Sequence, residues 1–256
     1  MSSTSSLRRA AGLLAGCGVL TVALLAGEIA WVTTREYLPA SAAPNTDGRV
    51  VTGSGPLLRL AVLGDSTAAG VGASNFEATV GGRLAAGLAE RRTAPVEVFS
   101  VAISGSRTAD LGPQVSRALL RKPHLAVILI GANDATAVTD LDDLSADLRR
   151  AVTRLRDAGV PVVLGSCPDM GGARALPHPL RDVVAWRGRS VADAQHEAVD
   201  GAGTTVVDLA RETGPAFRAD PRTVSSDRYH PSDRGYALWA DALLPAVGRL
   251  AADVTP

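Results

Sequence analysis

The sequence predicts an α/β domain, a five-stranded parallel sheet with helices on both faces, carried behind an N-terminal transmembrane helix. Three observations lead there. Five short apolar runs alternate with helical patterns between residues 57 and 210, and such alternation builds parallel sheets covered on both sides. The 256 residues suit one compact domain plus an appended segment. A stretch rich in Pro, Gly, Ser and Ala separates the two parts. The resulting division is 1–38 for a membrane anchor or signal segment, 39–57 for a flexible linker and 58–256 for the folded domain.

In chain order, Arg8 and Arg9 precede "AAGLLAGCGVLTVALLAG", residues 10 to 27, which carry no charge. About 20 such residues at 1.5 Å each cross a bilayer, and the arginines hold the near end in the cytoplasm, sending the rest outward. Two other readings place the domain outside as well. "LAGC" at 14 to 17 resembles a lipobox, although the apolar run continues past Cys17, and "ASAA" at 40 to 43 resembles a leader cleavage site. A retained single-pass anchor is the first expectation; a cleaved leader would leave the protein secreted. Residues 39 to 57 show no apolar period and read as a tether.

The strands are expected at "LLRLAVLG" (57 to 64), "VEVFSVA" (96 to 102), "LAVILIG" (125 to 131), "VPVVLGSC" (160 to 167) and "TTVVDLA" (204 to 210). Among the helices, one places Leu141, Leu144, Leu148, Val152 and Leu155 on a single face. It starts among Asp140, Asp142 and Asp143 and ends among arginines before Gly159, which suits the helix dipole and a glycine cap. The last helix carries Tyr236, Leu238, Trp239, Leu243, Leu244 and Val247.

Composition removes several functions. The 26 basic and 26 acidic residues balance, with no long run of one sign, so a nucleic-acid partner is not expected. Cys17 and Cys167 are the two cysteines, which excludes a disulfide framework and a cysteine metal cluster. The glycines near residue 64 do not fit the dinucleotide fingerprint, and no Gly-Lys-Ser/Thr follows them. Neither a cofactor nor a metal is expected, and the domain is expected to act as a monomer.

Parallel sheets bind ligands at the carboxyl ends of their strands, so the residues after each run matter most. "GDSTAAG" follows the first and sets Ser66 on a tight turn; such a turn also forms without any chemistry. "SVAISGSRTADL" spans the second exit, where Gly105 leaves its N–H open to a ligand. "GAND" ends the third run, with the Asn133 carboxamide as a donor or merely a cap, and Asp134 as a structural residue. Before the last helix, "SSDRYHPSDRGY" puts Asp227 three residues ahead of His230. That carboxylate can fix the imidazole tautomer and leave Nε2 to take a serine proton. His124, His178 and His196 lack such a partner and read as surface residues. Taken jointly, these types are what acyl transfer needs: a nucleophile beside a base, and donors for the oxyanion in the N–H groups of Ser66 and Gly105 and the side chain of Asn133.

With these residues the sequence resembles the SGNH (GDSL-type) hydrolases, named for their Ser, Gly, Asn and His blocks. "GDST", Gly105 in "ISGSRT", Asn133 in "GAND" and "DRYHP" stand for the four, over residues 58 to about 250. The resemblance implies a flavodoxin-like α/β/α sandwich and ester or thioester hydrolysis through an acyl-serine, without metal or cofactor. Thr67 stands where the family's name has leucine. The segment "CPDMGGARALPHPL", 167 to 180, matches no block and is expected in the substrate wall, with Met170, Leu176 and Leu180 flanking an acyl pocket. The expected function is an extracytoplasmic esterase with Ser66, His230 and Asp227 as catalytic residues, acting on a small or lipid acyl ester. An acyltransferase to an envelope sugar or glycolipid, or an envelope binding protein without activity, would use the same fold.

Overall fold

The computed structural model describes residues 20 to 254 apart from residue 202. The chain enters through α1 (20 to 33) and a helical turn at Ala40–Ala42, then forms β1 (Gly48–Val50) and β2 (Leu58–Gly64). Next come α2 (Val80–Arg92), β3 (Val96–Ser100), α3 (Leu111–Leu120), β4 (Leu125–Leu129), α4 (Ala132–Thr136) and α5 (Leu141–Asp157). β5 (Val162–Gly165), α6 (Leu180–Val199), β6 (Thr205–Val207), α7 (Leu209–Ala219) and α8 (Asp233–Asp253) complete it.

The sheet has six strands in the order β1-β3-β2-β4-β5-β6, not the five expected. The extra strand, β1, lies within the stretch read as a tether and pairs antiparallel with β3, Gly48 opposite Val98 and Val50 opposite Val96. Three residues are too few to show a period, and their pairing comes from the open edge of β3. The five expected strands are all parallel. β2 ends with its run at Gly64, while the other four end short of theirs: Val101, Ala102, Ile130 and Gly131 lie in the connections.

The hydrophobic core divides by alternation along each strand. Leu60, Val62, Val98 and Val127 face α2, α7 and α8, while Ala61, Leu63, Phe99, Ile128 and Leu164 face α3, α5 and the end of α6. Burial on both faces makes each strand apolar throughout, and each Leu or Val so enclosed contributes roughly 1.5–3 kcal/mol. α5 begins where the aspartates indicated, with the Asp140 carboxylate accepting from the N–H groups of Asp142 and Asp143, and the chain turns away at Gly159 with φ 76°.

Among the parallel strands, connections run to opposite sides of β2, which lies between β3 and β4. That reversal opens a crevice at the carboxyl ends of β2 and β4, the place where sheets of this kind bind ligands.

The expected transmembrane helix is only partly within view, since residues 1 to 19 lie outside the described residues. Among the described residues no helix is long and apolar enough to cross a membrane. α1 exposes Leu20, Val22, Leu24, Ile29 and Trp31, while Leu25 and Val32 pack against the cluster that holds Met170, Leu176 and Leu180.

Candidate active site

Each block reaches the crevice by a backbone device. β2 ends at Gly64 with φ 138°, where a Cβ would stand 1.8 Å from the carbonyl oxygen of Leu129. Only glycine lets the chain pass that close to β4 and turn to present Ser66. Asp65 stabilises the turn: its Oδ1 accepts from the Thr67 N–H at 2.9 Å and the Thr67 hydroxyl at 2.7 Å. β4 leads through Gly131, φ 128°, whose missing side chain makes room for Cys167 and Gln195, and delivers Asn133 on the first turn of α4.

The His230 loop is a small closed structure ahead of α8. The Ser225 N–H donates to the His230 carbonyl at 2.8 Å, and the Arg228 N–H donates to the Ser225 carbonyl at 2.9 Å. Asp227 organises the loop from inside. Its Oδ1 accepts from the Ser225 hydroxyl at 2.9 Å, the Tyr229 N–H at 2.9 Å and the His230 N–H at 3.0 Å.

The three groups paired in the sequence meet. His230 Nδ1 lies 2.6 Å from Asp227 Oδ2, and His230 Nε2 lies 3.0 Å from Ser66 Oγ. Burial alone would push the Asp227 carboxyl up, but hydrogen bonds from the His230 ring and from the Tyr229 and Leu38 N–H groups outweigh it and hold it well below the usual carboxylate range. An ionised Asp227 can only accept, so Nδ1 carries the ring proton and Nε2 is left to accept from Ser66. All three are buried, at 7 %, 8 % and 7 % exposure for Ser66, Asp227 and His230, so their hydrogen bonds lie away from bulk water.

Among the described residues the N–H groups of Ser66 and Gly105 have no protein partner. Gly105 has φ 85° and open space where a Cβ would be. Asn133 gives one amide hydrogen to the Ser106 carbonyl at 3.0 Å, which ties it to the Gly105 turn and leaves the second free. Ser66, Asn133 and His230 line one pocket together, while Gly105 sits on the adjoining turn outside its lining. Asp134 is structural in its contacts: fully buried, it accepts from the N–H and hydroxyl of Thr108.

The pocket runs from Ser66 between Met170, Thr213, Phe217, Tyr229 and Trp239, with about 50 Å³ accessible to water-sized groups. Of the residues expected to flank it, Met170 lines it, while Leu176 and Leu180 pack behind without reaching it. His124, His178 and His196 do not line it; His124 Nδ1 accepts from the Arg59 N–H at 3.0 Å, and His178 pairs with Asp182 at 2.9 Å. Among the described residues no group of three or more His, Cys, Asp or Glu could hold a metal ion.

Two residues absent from the sequence reading lock these loops. Gln114, fully buried on α3, accepts from the Gly64 N–H at 2.8 Å and donates to the Gly64 carbonyl at 2.9 Å and the Ser106 hydroxyl at 3.1 Å. Gln195 on α6 accepts from the Cys167 N–H at 2.7 Å and donates to the Ile130 carbonyl at 3.0 Å. Both were legible as polar residues on apolar helix faces: Gln114 stands with Leu111, Val115 and Ala118, and Gln195 with Val191 and Ala198. The Leu38 N–H, which donates to Asp227 Oδ2 at 3.1 Å, carries no side-chain signal at all.

With this geometry in view, similarity to known proteins is informative. The profile of the GDSL-like Lipase/Acylhydrolase family matches residues 62–238. The GDSL-like esterase Rv1075c of Mycobacterium tuberculosis is 38 % identical over 255 residues, covering 93 % of this chain and 81 % of that protein. Among solved structures, a catalytic mutant of the acetylxylan esterase Axe2 from Geobacillus stearothermophilus superposes with a TM-score of 0.58 at 22 % identity, over 78 % of this chain and 97 % of that one. A lipolytic G-D-S-L protein from Veillonella parvula superposes with a TM-score of 0.61 at 15 % identity, over 76 % of this chain and all (100 %) of the other. These two share the SGNH fold. The chain belongs to the GDSL-like lipase/acylhydrolase family and is a carboxylic ester hydrolase.

Proposed function

We propose that the protein hydrolyses short-chain acyl esters through an acyl-serine intermediate, with Ser66, His230 and Asp227 as its catalytic residues, outside the cytoplasm and tethered to the membrane. The observation that carries the mechanism is the continuous relay from Asp227 Oδ2 through the His230 ring to Ser66 Oγ, at 2.6 and 3.0 Å. Ser66 Oγ attacks the carbonyl carbon as its proton passes to Nε2, and Asp227 stabilises the imidazolium that forms. The N–H groups of Ser66 and Gly105 and the Asn133 amide receive the oxyanion. His230 then returns the proton to the departing alkoxide. Water, deprotonated by the same Nε2, attacks the acyl-serine and releases the acid.

Pocket size argues for a short acyl chain. One water needs about 10–15 Å³ of such accessible volume, so the roughly 50 Å³ beside Ser66 accommodates an acyl group of a few carbons. The test is a ladder of p-nitrophenyl esters from acetate to laurate with wild type and Ser66→Ala, together with fluorophosphonate labelling. Activity should peak at two to four carbons and vanish with Ser66→Ala, and labelling should vanish with it. A Ser66→Ala enzyme as active as wild type would overturn the mechanism, and a preference for laurate would overturn the substrate class.

Support for the location comes from α1. Its exposed Leu20, Val22 and Leu24 continue the charge-free run that begins at residue 10, behind Arg8 and Arg9. The charge-free run from residue 10 to 27 counts 18 residues, within the range of about 17–25 that a membrane-crossing helix needs. A periplasm-dependent reporter fused after Pro256 should be active in membranes and remain there after a carbonate wash. An inactive reporter would place the domain inside.

A further inference from the structure

The segment from residue 20 to Val50 precedes the part of the chain matched by the family profile, 62–238, yet it is bound to the domain at three points. At the first, Glu28, 9 % exposed, accepts from the Leu180 N–H at 2.9 Å while Leu25 and Val32 pack nearby. At the last, β1 pairs with β3, and Asp47 accepts from the Ser100 N–H at 3.1 Å and pairs with Arg121 at 2.6 Å. Between these anchors the chain crosses the His230 loop. There the Tyr37 ring meets Tyr229 edge-on with centroids 5.1 Å apart, Tyr229 in turn meets the His230 ring at 5.3 Å, and the Leu38 N–H donates to Asp227 Oδ2 at 3.1 Å.

The two oxygens of Asp227 are held differently. Oδ1 has three donors, all from the loop to which Asp227 itself belongs. Oδ2, the oxygen that faces the His230 ring, has among the described residues only Nδ1 and the Leu38 N–H. The Leu38 N–H is thus the one donor to this carboxylate that comes from outside the loop. A carboxylate oxygen presents about two acceptor sites, and in a buried place the second must be filled by protein or left costly. The crossing segment fills it, and its two aromatic contacts press on the same turn.

We propose that Tyr37 and Leu38 are positioning residues for the hydrolysis, the Leu38 N–H aiming Asp227 Oδ2 at His230 and the Tyr37 ring bracing Tyr229. The N-terminal arm is then a working part of the active site, and α1 is joined to Asp227 through the five residues from Thr34 to Leu38. This inference rests on the Ser66–His230–Asp227 mechanism proposed above.

The full-length protein with Leu38→Pro, which deletes the donor, is compared with Leu38→Ala, which keeps it. Leu38→Pro should lower kcat about tenfold or more, as expected for a lost bond to a charged group, with KM within about twofold and slower fluorophosphonate labelling of Ser66. It should also move the low-field proton resonance of the His230–Asp227 bond. Leu38→Ala should recover wild-type kcat within about twofold. Wild-type kcat and an unmoved resonance in Leu38→Pro would overturn the proposal, as would equal losses in the two variants. If Leu38→Pro fails to fold by circular dichroism, Tyr37→Ala decides: a several-fold loss of kcat at unchanged KM supports it, and wild-type kcat overturns it. Loss of the underlying mechanism would show separately, as an active Ser66→Ala enzyme.

Discussion

Asp227 holds His230 twice, through the ring at 2.6 Å from Oδ2 to Nδ1 and through the backbone at 3.0 Å from the His230 N–H to Oδ1. One carboxylate thus sets both the tautomer of the imidazole and the path of the chain that carries it. Asp227→Asn keeps the shape but offers an amide where Nδ1 needs an acceptor. The ring then adopts the other tautomer, with Nε2 protonated toward Ser66, and kcat should fall by about 10³ to 10⁴. Steady-state hydrolysis of p-nitrophenyl acetate measures this, and a loss below tenfold would show that the acid is dispensable.

Asp227 and Asp65 should respond to pH in opposite ways. The Asp227 carboxyl is held below its unfolded value, so its contribution to stability is present above about pH 4 and is lost as pH falls through its folded value. Burial raises the Asp65 carboxyl to about 6, despite hydrogen bonds from Thr67 that lower it. Between about pH 4 and 6 the folded state therefore holds a proton that the unfolded state has released, and stability declines as pH rises across that window. At ~1.4 kcal/mol per unit the shift amounts to roughly 3 kcal/mol. Asp65→Asn keeps an acceptor for Thr67 and removes the titration, so its stability relative to wild type should improve from pH 4 to pH 7. Urea unfolding at the two pH values tests this, and an unchanged difference would contradict it.

Asn133 spends one amide hydrogen on the Ser106 carbonyl at 3.0 Å, and in the proposed mechanism the other serves the oxyanion. Asn133→Ala should cost about 10² to 10³ in kcat with little change in KM. Asn133→Asp should be at least as damaging, because a carboxylate there repels the developing negative charge and cannot donate to Ser106. Equal kcat for wild type and Asn133→Ala would remove this residue from the oxyanion site.

Much of the site was legible because its chemistry sits in side chains at strand ends. Ser66, Asn133, Asp227 and His230 follow or precede apolar runs whose periods mark the sheet and the last helix, and the structure brings them to one crevice. β1 was not legible, since three residues carry no period and their pairing is decided by the edge of β3. The Leu38 contact was beyond reach for a different reason: a backbone N–H is present at every non-proline position, and only the fold determines which one meets Asp227. Gln114 and Gln195 were within reach, as amides on apolar helix faces that require buried partners.

Met170 should set the length of the acyl chain. It lies at the end of the loop after β5, 4 % exposed, and lines the pocket together with Phe217 and Trp239. Met170→Ala opens that wall without touching Ser66, His230 or the oxyanion donors. The enlarged space should accept methylenes that wild type excludes, each worth ~0.8 kcal/mol when buried, or roughly fourfold in kcat/KM. The ratio of kcat/KM for hexanoate over acetate should therefore rise by about tenfold or more, while acetate turnover stays near wild type. Truncation also leaves a cavity and costs about 2–5 kcal/mol of stability, so the ratio must be measured at a temperature where both proteins remain folded. An unchanged ratio in a folded Met170→Ala enzyme would show that the acyl chain leaves Ser66 by another route.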